Sequence, residues 1–267
     1  MRKLVYSTLG PSIRCARRKG SAITARRPPR GAPKLRAVLF NPLKITFIGH
    51  ACLCLEYKTR RLLTDPYSPE IGYAPIETRT DFVTISHENR KYHSCLDEFE
   101  QFDGAPNAIY RGLEHLNQTV RCGPFALQSI EVFEKLPDDD GKAEGANAMT
   151  IIEAGDLRIL HMGDCGHLPT KTQIEACGRV DILLALAGAG PTIALPDLLE
   201  FIVDLGPQII IPMHFGLPHV IGKFGPLSDL EKLWPGEIAH KSSSCQISRD
   251  DLPDSSQLWI LPPLRQQ

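Results

Sequence analysis

Two short, almost purely apolar runs, residues 180–186 (Val-Asp-Ile-Leu-Leu-Ala-Leu) and 208–213 (Gln-Ile-Ile-Ile-Pro-Met), constrain the fold more than any other feature. Each is too short for a buried helix, and neither alternates as a half-exposed strand does. Strands of this kind need cover on both faces, the situation of a parallel sheet flanked by other layers. Between them, residues 194–205 set Leu195, Leu198, Leu199, Ile202 and Leu205 on one helical face, and Gly206-Pro207 stops the helix. A second helix is expected over 170–176, closed by Cys177-Gly178, and a third over 228–234, with Ser228 as its cap and Pro235-Gly236 as its end.

The preceding half reads as strands. Residues 44–48, 51–57 and 61–64 are rich in apolar and β-branched side chains, with Lys58-Thr59-Arg60 as a turn. Further strands are expected over 81–85, 125–133, 149–153 and 157–162, the last two joined as a hairpin through Ala154-Gly155-Asp156. Strands first, then alternating helices and strands, imply one α/β domain over residues 42–263.

The leader differs in kind. No Asp or Glu precedes Glu56, while Arg14, Arg17, Arg18, Lys19, Arg26, Arg27, Arg30, Lys34 and Arg36 crowd the first 36 positions. Residues 1–41, rich in Ser, Pro and Gly, read as a basic extension unable to fold alone. A transit peptide and a basic arm for an anionic partner are the competing readings, and a secretory signal is excluded by the lack of an apolar core segment. The net charge of −1 gives no global affinity for nucleic acid or membrane, and no apolar run approaches a bilayer span. The eight cysteines form no CxxC pair, so reduced thiols in a cytoplasmic compartment are expected, or an organelle if the leader is a transit peptide.

Chemistry gathers where strands stop. His50 follows Phe47-Ile48-Gly49, His87 follows residues 83–86, Asp164 and His167 follow 159–162 through Gly163, and His214 follows 209–213. Ligands collect at the carboxyl ends of strands in α/β sheets, and imidazole and carboxylate donors suit zinc and similar ions.

Taken in order, Phe47-Ile48-Gly49-His50-Ala51, Leu63-Thr64-Asp65-Pro66, Ser86-His87-Glu88, His161-Met162-Gly163-Asp164-Cys165-Gly166-His167 and Ile211-Pro212-Met213-His214 resemble the metallo-β-lactamase fold superfamily. The branch they are most similar to is that of small metal-dependent hydrolases related to ascorbate-6-phosphate lactonase. The resemblance implies a four-layer αββα sandwich, a mono- or dinuclear metal site at one edge, and hydrolysis by a metal-bound water. It implies His87, His93, Asp164 and His214 as metal ligands, with His167 and Asp139 as catalytic groups. His50 would line the pocket or support the ligands.

The first metal motif is degenerate. Where the family has His-x-His-x-Asp-His, this chain reads Ser86-His87-Glu88-Asn89-Arg90-Lys91-Tyr92-His93: Asn89 replaces the second imidazole, and His93 takes the last position only across a one-residue insertion that leaves Tyr92 for the Asp. A further family His appears as Pro137 beside Asp138 and Asp139. Arg90 or Lys91, if turned inward, would repel a second cation. One divalent ion is therefore expected rather than two: zinc first, with Mn, Fe or Ni as alternatives. The implied function is hydrolysis of a small ester, lactone or phosphoester. The alternatives are a pseudoenzyme or binding protein with a decayed metal site, and a nucleic-acid-processing hydrolase favoured only by the basic leader. A small-molecule substrate is the expected partner, with no membrane; a homo-oligomer is compatible with the sequence.

Overall fold

Continuous apolar strands find their cover in two sheets packed face to face. The computed structural model describes residues 41–97, 108–135 and 144–264; the expected extension over residues 1–41 thus lies, but for its last residue, outside the described residues. The first sheet carries β1 (Leu43–Gly49), β2 (Cys52–Tyr57), β3 (Arg60–Thr64), β4 (Phe82–Ile85), β5 (Ile109–Arg111) and β13 (Ser244–Ile247), ordered β13-β1-β2-β3-β4-β5. The second carries β6 (Thr119–Cys122), β7 (Phe125–Lys135), β8 (Glu144–Ala154), β9 (Leu157–His161), β10 (Ile182–Leu186), β11 (Ile209–Met213), β12 (Glu237–His240) and β14 (Gln257–Ile260). Their order is β12-β14-β11-β10-β9-β8-β7-β6.

Turn chemistry sets the antiparallel parts. Lys58 and Thr59, at φ +48° and +63°, turn β2 into β3, the backbone that a two-residue hairpin requires. Gly155, at φ +69°, does the same between β8 and β9, where Ala154 pairs Leu157. From β9 onward the sheet is parallel, and the crossovers into β10 and β11 each carry a helix: α1 (Lys171–Cys177) before β10 and α2 (Leu195–Leu205) before β11. All five residues of β10 are buried, one face toward the other sheet and the other toward the layer containing Leu198, Phe201 and Ile202 of α2. Thr170 caps α1 through a reciprocal bond pair with Gln173. The third helix, α3 (Leu227–Leu233), begins one residue before the expected Ser228; its cap position is Pro226, with no side-chain cap bond.

The main core runs between the sheets, joining Leu43, Ile45, Phe47, Leu53 and Leu55 of the first to Leu127, Val132, Met149 and Ile151 of the second. A smaller cluster on the other face of the first sheet packs Cys52, Cys54, Leu63, Val83 and Ile85 under Tyr67, Ile71 and Tyr73. Its described cover is irregular chain with one 3-10 turn, Pro69–Ile71, capped by the Ser68 hydroxyl. Because β3 and β4 are parallel, and β9, β10 and β11 likewise, the residues that follow them emerge along common edges. All seven described cysteines are free. Among the described residues no helix is long and apolar enough to cross a membrane.

Candidate metal centre

Each candidate ligand is aimed by a local device. After β4, the buried Asp65 carboxylate accepts bonds from the Ser86 backbone N–H at 2.8 Å and the Ser86 hydroxyl at 2.6 Å, and the Ser86 hydroxyl lies 3.1 Å from His87 Nδ1. The Asn89 carbonyl then accepts the backbone N–H groups of Tyr92, His93 and Ser94, at 3.0, 2.8 and 3.0 Å. That tight turn drives His93 inward to full burial and leaves Arg90 and Lys91 exposed. Arg90 pairs with Asp97, and the Lys91 ammonium lies over the Tyr92 ring. Neither cation faces the centre, so the repulsion expected of an inward Arg or Lys does not arise.

Asp164 is delivered by Gly163, at φ +57°, where an added Cβ would meet Asn147 Oδ1 at 2.6 Å and Ser86 Cβ at 2.8 Å. The Asp164 N–H donates to the same Asn147 Oδ1 at 3.1 Å. His214 and His50, at φ +57° and +53°, both hold the left-handed backbone, and the His214 N–H donates to the His50 carbonyl at 2.7 Å, tying the two sheets. Asp65 is also left-handed, at φ +36°. Non-glycine residues in this region store about 1–3 kcal/mol each, and such strain gathers at functional sites.

The imidazoles and the carboxylate converge. His87, His93 and Asp164 each offer a donor atom within 4.8 Å of the others, and so do His50, His93 and His214. Asp164 Oδ1 lies 3.0 Å from His214 Nε2, and Oδ2 lies 2.9 Å from His93 Nε2 and 4.0 Å from His87 Nε2. The two triads thus share His93, and the Asp164 carboxylate spans them. At this centre five buried ring nitrogens have no hydrogen-bond partner: His50 Nδ1 and Nε2, His87 Nε2, His93 Nε2 and His214 Nδ1. One such orphan costs about 1–3 kcal/mol, so five together need an answer. A divalent cation answers for one lone pair from each ring, and these donor types fit; the second His50 nitrogen carries the ring N–H.

Burial opposes charge on His93, but Asp164 and Asp65 on either side of the ring outweigh it and push its pKa up to about 10. Burial also works against ionised Asp164, yet the charges of His93 and His214 hold its carboxyl well below the usual range. Burial and then the neighbouring imidazoles His214 and His93 press His50 well below an ordinary histidine. His87 is lowered by burial and then by His93.

The structure brings His87, His93, Asp164 and His214 together and adds His50, which the sequence placed in a supporting role. His167 is held by backbone: its Nε2 accepts the Phe133 N–H at 3.2 Å, and its Nδ1 faces the Leu168 carbonyl at 3.0 Å. Both nitrogens are engaged by backbone, which suits a strut between loops and leaves neither free to move a proton. Asp139 lies outside the described residues. Two groups had no role in the sequence reading. Asp65 faces His93 Nδ1 at 3.1 Å, and its only signal was the Thr-Asp-Pro motif after β3. Glu134 Oε1 lies 3.3 Å from His87 Nε2; a Glu near the end of an alternating strand carried no signal at all.

Comparison with known proteins agrees with this geometry. A family model described as a β-lactamase superfamily domain matches residues 44–214. A UPF0173 protein of Pyrococcus furiosus is 24% identical over 186 residues, covering 65% of this chain and 84% of its own. A UPF0173 metal-dependent hydrolase of Carboxydothermus hydrogenoformans is 24% identical over 223 residues, covering 73% and 99%. Among solved structures, a metallo-β-lactamase superfamily protein of Thermotoga maritima superposes with a TM-score of 0.58 at 24% identity, over 82% of this chain and 98% of that one. None of these comparisons singles out the lactonase branch. With the family model spanning well over half of the sequence on a fold of two facing sheets, the chain belongs to the metallo-β-lactamase superfamily.

Proposed function

We propose that this chain is a metal-dependent hydrolase of a small ester, lactone or phosphoester. The observation that carries the reading is the cluster of five partnerless ring nitrogens around a carboxylate that spans them. His93, His214, His50 and Asp164 would hold one ion, with His87 on the far side of the carboxylate. Imidazole and carboxylate donors favour zinc, with Mn, Fe and Ni as alternatives. When bound, such an ion supplies Lewis acidity toward a carbonyl or phosphoryl oxygen and toward water. The relatives that carry the name metal-dependent hydrolase support the same class.

The chain's own residues do the rest. Asp65 presents a lone pair of His93 to the centre by taking the N–H on the other side of the ring. Phe224 stands edge-on to His214, with ring centroids 4.7 Å apart, and to His50 at 5.3 Å, while Tyr92 lies 5.4 Å from His50. This aromatic wall excludes water from one side of the centre and favours a substrate with an apolar portion. The decayed-site alternative fits less well, since His50 adds an imidazole beside His93 and His214. The test is elemental analysis of untagged full-length protein after reconstitution, followed by a panel of small esters, lactones and phosphoesters. About one equivalent or more of metal with metal-dependent turnover is expected; less than about a few tenths of an equivalent refutes the reading.

A further inference from the structure

The His87 side of the centre has too few donors. The sequence has lost an imidazole at Asn89, a carboxylate at Tyr92 and an imidazole at Pro137 relative to the family pattern, leaving His87 and one oxygen of Asp164. We propose that Glu134 is the missing donor, and that His87, Asp164 Oδ2 and Glu134 form a second, weaker cation position beside the first. The inference rests on the metal-centre reading above and extends it.

Three observations support it. First, Glu134 Oε1 and His87 Nε2 approach to 3.3 Å, yet His87 Nε2 makes no hydrogen bond. Two donors on one tetrahedral ion with bonds near 2.0–2.1 Å stand about 3.3 Å apart. The His87–Asp164 separation of 4.0 Å is wider than that spacing, so a shared ion would draw these two donors together by about 0.7 Å. Second, the strand end is shaped to hold this side chain. A Cβ on Gly145, at φ +70°, would lie 2.6 Å from Glu134 Cδ, 2.8 Å from its Cβ and 2.9 Å from its Cγ, so the glutamate lies along a strip that only glycine leaves open. Third, its backbone is clasped by the loop that delivers Asp164. A Cβ on Gly166 would sit 1.5 Å from the Glu134 carbonyl oxygen, and the Gly166 N–H donates to the Phe133 carbonyl at 2.9 Å. Glu134 thus reaches toward His87 from a strand end locked to Asp164. Arg90 and Lys91, turned outward, do not oppose a second cation there.

The experiment titrates metal-stripped, untagged full-length protein with Zn²⁺, and separately with Mn²⁺, against a chromogenic chelator. The wild type is expected to take two equivalents, and Glu134→Gln, with folding checked by circular dichroism, to keep the tight one while the weaker weakens at least about tenfold. Glu134→Asp, which keeps the charge on a shorter arm, retains the second equivalent at reduced affinity. Glu144→Gln, removing a carboxylate that pairs with exposed Lys135 on the neighbouring strand, behaves as wild type. Two equal equivalents in both wild type and Glu134→Gln would overturn the role of Glu134 alone. A wild type that takes one equivalent overturns the second position and leaves the proposed function standing, whereas one that takes none overturns both.

Discussion

Asp65→Asn tests how the centre is held, because the substitution keeps shape and removes charge. The Asp65 carboxylate is 1% exposed and meets three groups: the Ser86 N–H at 2.8 Å, the Ser86 hydroxyl at 2.6 Å and His93 Nδ1 at 3.1 Å. As an acceptor it fixes the proton of neutral His93 on Nδ1 and leaves the Nε2 lone pair facing Asp164 and the centre. An asparagine that keeps its oxygen on the Ser86 N–H turns its NH2 toward the other two groups. The Ser86 hydroxyl rotates and accepts. His93 Nδ1 relieves the clash of donors by becoming an acceptor, which moves its N–H to Nε2, where a metal needs a lone pair. Changes one shell away from a metal cost about 10–100-fold in affinity, or roughly 1.4–2.7 kcal/mol. The metal-free protein loses one charge-assisted bond, about 1.5–3 kcal/mol. Zinc titration against a competing chelator and urea unfolding of the metal-free form measure the two effects separately. Ser86→Ala removes a hydroxyl and leaves the His93 tautomer alone, so it lowers stability while affinity for the ion held by His93, His214, His50 and Asp164 changes less than about threefold. An Asp65→Asn protein that binds zinc within about threefold of wild type would refute the tautomer argument.

The remaining expectations probe the same centre from other sides. Since His93 is raised in the folded, metal-free state, its contribution to stability is complete below the unfolded pKa of about 6.5 and is lost as pH rises toward about 10. Asp164 and Asp65 are lowered, so theirs is present above the ordinary carboxylate pKa of about 3.9 and lost as pH falls. His50 and His87 are lowered, so folding loses stability as pH falls below about 6.5 and these rings charge in the unfolded chain; urea midpoints of metal-free protein should therefore peak near pH 6.5, and zinc affinity should rise with pH above 6.5 as His93 yields its proton, so that a flat affinity profile contradicts this assignment. His50→Ala should weaken the tighter ion at least about tenfold in the chelator assay, whereas unchanged binding would return His50 to an aromatic packing role. Gly163→Ala should cost about 2–5 kcal/mol in urea unfolding, from the left-handed backbone and the contacts with Asn147 and Ser86. Saturating zinc at about 100-fold over its dissociation constant should stabilise the wild type by about 2.7 kcal/mol, and a chelator should reverse it.

What the sequence could reveal follows from how far each signal extends. β10 and β11 are legible because burial on both faces writes itself as uninterrupted apolar residues, and α2 because its buried Leu195, Leu198 and Ile202 recur at helical spacing. β5, β6, β12, β13 and β14 went unseen. Each is three or four residues long, and most are part-exposed, so pairing with a distant partner defines them rather than their own composition. The start of α3 moved to Leu227 because Ser228 is a weaker signal than the proline that sets the preceding backbone.

The site divides along the same line, with one difference that matters for reading such chains. His87, His93, Asp164 and His214 were legible because a strand end is a local event and an ordered set of such ends is rare by chance. Whether the gap at Asn89 is a loss could not be judged locally. The turn that Asn89 caps sends Lys91 outward and His93 inward, and the bond from the His214 N–H to the His50 carbonyl sets a further imidazole beside them. Glu134 reaches His87 across a glycine strip, a contact between residues 47 positions apart. A motif with donors missing in sequence can therefore regain them in space, from whichever strand ends share the edge. Degeneracy in a ligand motif counts as decay only when the neighbouring strand ends offer no nitrogen or carboxylate in its place; here they offer His50 and Glu134.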